Sequence, residues 1–189
     1  MNIRELQNEF PLETAILVSV GKLTGSWENV YRHCMTVGLV TEIIRHEIHF
    51  SRIITSAAIL HDVRKRYEKS PQDFTPEEAG ILNYVWTHAL PEILRQATSP
   101  LTRENAHEKN TLESKILCVA DMWTSGDRVV SIAQRAEDSR ERWPDLDWDF
   151  HIEFCGMLEK EIWDKLISSG LQIKNPSRLL GWVTSQITE

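Results

Sequence analysis

Apolar positions recur every three or four residues through most of this chain, and no run alternates apolar with polar residues for long enough to predict a strand. Leu12 to Leu23 reads as a first helix that stops at Gly25. Ser26 can cap the next one, which places His33, Val37, Val40 and Ile44 on a single face. A third helix is predicted from about Ser51 through the apolar run Ile53-Ile54-Thr55-Ser56-Ala57-Ala58-Ile59-Leu60 into His61-Asp62. After a loop at Ser70 to Phe74, Thr75-Pro76-Glu77-Glu78 combines an N-cap, an N1 proline and a capping-box glutamate. That helix is expected to reach His88, with Pro91 kinking or restarting it.

Thr98 to Asn110 is polar and reads as irregular. Thr111 can cap a long helix that holds Asp121 and continues toward Arg140. An acidic, aromatic loop follows at Trp143 to Asp149, then helices at roughly Phe150 to Ser169 and Pro176 to Ile187. Gly170 is a stop signal and Asn175-Pro176 a start signal. The expected fold is therefore an all-α helical bundle of about seven to nine helices. Residues 1-25 form an N-terminal extension, 26-140 the core, and 141-189 helices packing on that core.

Bulk composition narrows the partners. The 189 residues, 41% hydrophobic and 26% charged, suit a globular protein able to bury a substantial core. A net charge of −7 argues against general nucleic-acid binding, which needs a basic face. Cys34, Cys118 and Cys155 are odd in number and lie in apolar helical text, which predicts buried thiols in a reducing compartment. The first residues lack a signal-like apolar segment, and no apolar run approaches the roughly 20 residues that cross a bilayer. A cytoplasmic protein without membrane contact is expected, and a homodimer is left open.

The chemistry lies in His61-Asp62. Adjacent ionisable residues at the end of a core helix must be compensated, because buried charges are paired or bind metal. His33 and Asp121 sit in similar apolar settings on other helices. Imidazole and carboxylate are ligands for divalent first-row metals, and two histidines with two aspartates leave positions open for water and substrate. On a regular helix His61 and Asp62 diverge by about 100°, so one ion must sit over the helix edge between them.

These residues resemble the HD-domain metal-dependent phosphohydrolase superfamily. Its pattern is a histidine on one helix, a His-Asp pair closing an apolar helix, and an aspartate on a later helix: here His33, His61-Asp62 and Asp121. Ala57-Ala58-Ile59-Leu60-His61-Asp62-Val63-Arg64-Lys65 is similar to the family's stretch around its His-Asp pair, and Ser114-Lys115-Ile116-Leu117-Cys118-Val119-Ala120-Asp121 to its Ile-to-Ala-Asp stretch. The resemblance spans Trp27 to Arg128. Arg64 stands where the family usually has glycine, and Lys65 matches the family lysine. With Arg66 they make a basic triplet suited to phosphate oxygens, or to a solvated helix end.

The resemblance implies hydrolysis of a phosphomonoester or phosphodiester, with a nucleotide as the expected substrate. The cofactor is a divalent ion, one of manganese, iron, cobalt, nickel, magnesium or zinc. His33, His61, Asp62 and Asp121 are its ligands, Asp62 or a nearby carboxylate takes a proton, and Lys65 and Arg64 stabilise phosphoryl charge. Some subgroups hold two metals by adding histidines in the interval where His88 and His107 lie. Two rivals remain: a non-catalytic module that binds a nucleotide or a partner, and a di-iron oxygenase, which requires the second metal.

Three further features are weaker. His46-Glu47-Ile48-His49 spaces its histidines three apart, not the four a zinc-protease helix needs. The seven tryptophans read as packing residues, with Trp86 or Trp123 as candidates for stacking on a base. Asp127 and Arg128 read equally as groups supporting the site or as a surface pair.

Overall fold

Helix formation begins nearer the N-terminus than the apolar pattern suggests. In the computed structural model, which describes residues 1–89, 92 and 101–188, a helix α1 runs from Ile3–Glu9. Asn2 and Glu5 form a reciprocal capping box at its start. Helix α2 (Pro11–Ala15) passes into a π-helical turn at Ile16–Val20. Together these replace the single helix expected from Leu12 to Leu23.

Helix α3 (Glu28–Glu47) is the central element. Every residue from His33 to Ile44 is buried, so this helix is covered on all sides rather than on one stripe. Its buried Glu42 needs partners, and Arg45 and Thr55 supply them: Arg45 Nε donates to Oε2 at 2.7 Å and Thr55 Oγ1 donates to the same oxygen at 2.7 Å. Thr55 belongs to α4 (Ile53–Leu60), which crosses α3 closely at Gly38.

The short α5 (Lys65–Lys69) follows a turn at 61–64. Helix α6 (Pro76–Tyr84) carries the predicted capping box of Thr75 and Glu78 and runs on as a π-helical turn to Ala89. The expected kink at Pro91 lies outside the described residues. Helix α7 (Leu112–Met122) is capped by Thr111 as predicted.

The helix predicted to continue toward Arg140 does not do so. It stops at Met122, and strands β1 (Thr124–Ser125) and β2 (Arg128–Val129) pair antiparallel before α8 (Ile132–Ser139). The cause is local: Gly126 takes φ +64 at the first position of a two-residue loop, a conformation glycine adopts without strain. Thr-Ser-Gly-Asp-Arg-Val is a hairpin signal too short to show alternation. Helix α9 (Trp148–Ser168) begins two residues earlier than expected, capped by Asp147. The chain ends in a 3-10 turn at Pro176–Arg178 and α10 (Leu179–Gln186).

The fold is thus an all-α helical bundle with a two-residue-per-strand ribbon as its one sheet among the described residues. Leu6 and Leu17 from the N-terminal helices, and Ile162 and Val183 from the C-terminal ones, join α3, α4 and α7 in one core. Trp123 is fully buried and ties α7 to α9 through Nε1 donating to Glu159 Oε1 at 2.6 Å. Burial pushes that carboxyl up from its ordinary value, although the indole bond opposes it. The three cysteines are free and buried, as expected. No helix among the described residues is long and apolar enough to cross a membrane.

Candidate metal centre

His33 lies in the second turn of α3, and His61-Asp62 stands where α4 ends. The regular helix closes at Leu60, and the pair occupies the turn 61–64 instead of a helical face. That resolves the expected divergence: both side chains can approach His33 without a helix between them. Possible ligand atoms of His33, His61 and Asp62 all lie within 4.8 Å of one another. Asp121, in the last turn of α7, closes the group from the third side. Its Oδ1 is 3.0 Å from His33 Nε2 and 3.8 Å from His61 Nε2.

One atom in this group has no protein partner. His61 Nδ1 sits 2.7 Å from the carbonyl oxygen of Ala58, so this nitrogen carries the proton and donates it. Nε2 is then a bare acceptor, buried and without a hydrogen bond. Its nearest polar neighbours are acceptors too, Asp62 Oδ2 at 3.7 Å and Asp121 Oδ1 at 3.8 Å. Three lone pairs converging in a buried space cannot satisfy one another. A cation satisfies all three, and a histidine whose other nitrogen is fixed by a carbonyl is the usual form of a metal ligand.

Both aspartates are held ionised. Burial alone would raise the Asp121 carboxyl, but the hydrogen bond from His33 and the nearby Arg135 hold it far below the usual carboxylate range. Burial likewise opposes ionisation of Asp62 and is outweighed by neighbouring positive charge, that of Lys65 included. Lys65 Nζ reaches Asp62 Oδ2 at 2.5 Å. The ammonium is itself held above its ordinary range, since Asp62 and Asp121 outweigh its burial.

The basic triplet separates. Only Lys65 faces the group; Arg64 stacks on Trp86 at 5.1 Å and lies 3.8 Å from Glu68, away from the cavity. Arg66 is tied to the Lys22 carbonyl and to Asp73. Arg64 therefore does not line the cavity beside the four residues. For a phosphate ester turned over at these residues, Arg64→Ala is expected to leave metal content and turnover within about twofold of wild type, whereas Lys65→Met would lower turnover by about tenfold or more. Steady-state rates of the two variants check this; an equal loss in both would place Arg64 back in the site.

The two additional histidines do not join the group either. His88 is exposed and stacked on Tyr84 at 5.0 Å. His107 is exposed with Nδ1 on the Glu104 carbonyl at 2.8 Å. Asp127 and Arg128 are surface groups paired with Arg32 and Asp138. The tryptophans singled out in the sequence also lie elsewhere, Trp123 in the core and Trp86 under Arg64.

A cavity of about 250 Å³ opens over the four residues, and its far wall was not visible in the sequence. Lys109, Arg135, Trp143, Trp148 and His151 line it. Lys109 is 3% exposed, and burial draws its ammonium below the ordinary lysine range. His151 is buried in the first turn of α9, its Nδ1 bonded to the Asp147 carbonyl at 2.8 Å, the device His61 uses. Arg135 comes from α8, beyond the unpredicted ribbon. No local signal marks these residues, because each is alone in its own segment.

No protein-family model matches this chain, and no curated protein or solved structure matches it.

Proposed function

We propose that this protein is a metal-dependent phosphohydrolase of the HD-domain type, acting on a small phosphate ester such as a nucleotide. The observation that carries the reading is the buried, bare Nε2 of His61 between the carboxylates of Asp62 and Asp121. His33, His61, Asp62 and Asp121 would hold one divalent ion. When bound, that ion supplies Lewis acidity and a water activated at neutral pH.

The chain's own residues do the remainder. Lys65 neutralises phosphoryl oxygens next to the ligands and keeps Asp62 ionised. Asp62 is consequently a better ligand than base, since a carboxylate held below its usual range accepts protons poorly. The apolar rings of Trp143 and Trp148 offer a base or other flat group a face at the cavity wall. A cavity of about 250 Å³ suits a small molecule rather than a polymer. The exposed positions of His88 and His107 favour one ion over two, which weighs against the oxygenase reading.

Elemental analysis of gently purified protein, run beside His61→Ala and Asp62→Ala, tests the reading. About one transition metal per chain is expected in wild type and none in either variant, with phosphate release following the metal. Resupplying the ion at about a hundredfold over its Kd should stabilise the chelated wild type by about 2.7 kcal/mol and leave His61→Ala unmoved. Full phosphate release from folded Asp62→Ala would sink the mechanism.

A further inference from the structure

Beside the proposed metal ligands a recess of about 160 Å³ shares His33, Asp62, Lys65, Arg135 and Trp143 with the main cavity and adds Arg142. Its charge runs against that of the molecule. The chain carries −7 overall, yet three cations line this recess against one carboxylate, and that carboxylate is already committed to Lys65.

The two arginines are the informative pair. On the same stretch of chain Arg128 pairs with Asp138 and Arg140 with Asp149. Among the described residues, Arg135 and Arg142 have no carboxylate within ion-pair distance. Arg142 lies over the Trp143 ring at 5.2 Å and donates to the Asp138 carbonyl at 3.4 Å, contacts that orient its guanidinium without neutralising it. Arg135 is half-buried where the two spaces meet. Two guanidiniums without an ion-pair partner, Arg135 near Asp121 and Asp138 but bonded to neither, focus a positive potential in a concave space, and their planar forks match phosphate oxygens.

We infer that Arg135 and Arg142 form a second anion subsite, so the natural ligand carries a second phosphoryl group adjoining the one placed at the metal residues. A nucleoside diphosphate is the simplest nucleotide of that class. The recess shares two proposed metal ligands with the main cavity, which puts the two anions side by side rather than at opposite ends of the molecule. The assignment of the first phosphoryl group rests on the hydrolase reading above; the preference for a second does not.

Calorimetric titration of the full chain, purified without chelator, with analogues of AMP and ADP whose ester and anhydride oxygens are replaced by methylene so that nothing turns over, is the test. ADP is expected to bind about tenfold more tightly than AMP, a difference that shrinks as salt is raised. Arg135→Gln and Arg142→Gln should each reduce the ratio toward one, and Arg142→Gln should keep the AMP affinity of wild type. Unchanged thermal midpoints in both variants establish that the fold is intact. Equal affinities in wild type, or a preference that survives in both variants, would overturn the inference. Phosphate release from AMP and ADP themselves is followed separately. If the ADP preference is present and depends on the arginines but no ester is hydrolysed, the hydrolase reading fails and the anion subsite stands.

Discussion

On the proposed hydrolase reading, Asp121→Asn protein is expected to retain almost no metal after gentle purification and to release phosphate at least about a thousandfold more slowly than wild type. The magnitude follows from what the carboxylate does, since stabilisation of charge at a metal site amounts to several kcal/mol and each 1.4 kcal/mol is about tenfold in rate. Asparagine keeps the size of the side chain and an acceptor oxygen, so the change removes charge and little else. His33 Nε2 then loses the anion that sits 3.0 Å away, and His61 Nε2 loses one of its two carboxylate neighbours. With Asp62 drawn toward Lys65, two imidazoles would face a cation with little negative charge to hold it. The Asp121 side chain is 36% exposed, so the fold should survive, with a modest fall in the thermal midpoint of the chelated protein for the loss of the charge bonded to His33. Metal analysis and turnover on one preparation decide the matter; normal values of both would exclude Asp121 from the centre.

The second large effect is structural. Gly38→Ala should destabilise the protein by about 1–3 kcal/mol, because overpacking a filled core forces off-rotamer side chains and backbone shifts. A Cβ at this position would lie 2.5 Å from Ile59 Cγ1 and 3.3 Å from Leu6 Cδ2. Ile59 is fully buried, and Cγ1 is not the free end of its side chain, so it has nowhere easy to turn. For a chain of this length each kcal/mol is worth about 2–4 °C, and a midpoint lowered by roughly 5 °C is expected. The same contact sets the spacing of α3 and α4, which carry His33 and lead to His61, whose rings are 5.2 Å apart. Metal content should therefore fall along with stability. A double-mutant cycle isolates the cause: Ile59→Ala should cost less in the Gly38→Ala background than alone, since the added methyl occupies part of the space vacated. Simple additivity of the two changes would show that the close approach is not what glycine provides here.

Much of the architecture could be read locally. The caps at Thr75 and Thr111, the stop at Gly170 and the apolar faces of α3 and α4 are interactions between residues three or four apart, and a sequence displays those directly. The elements that escaped had signals too short to register. The ribbon at Thr124–Val129 has two residues per strand, and α1 has one buried side chain, Leu6, in place of an apolar stripe.

The candidate site divides along the same line. His33, His61, Asp62 and Asp121 stand out in the sequence because each interrupts an apolar helical stretch, and the cost of burying a charge makes such an interruption improbable without a partner. Neither their approach to one point nor the bare state of His61 Nε2 is contained in that pattern. Those depend on α4 ending at Leu60 and on the Ala58 carbonyl being free to accept a hydrogen bond from Nδ1. The separation of Lys65 from Arg64 was equally hidden, because neighbours in a turn can face opposite sides and only packing against Trp86 decides which one leaves. Local periodicity was enough to read an all-α chain and four residues of metal-binding type. Only packing brings together the opposite wall, Lys109, Arg135 and His151, because those side chains come from separate segments and share no period; Arg142 joins from the adjoining recess once the ribbon ends α7 and α8 and α9 fold back over the four residues.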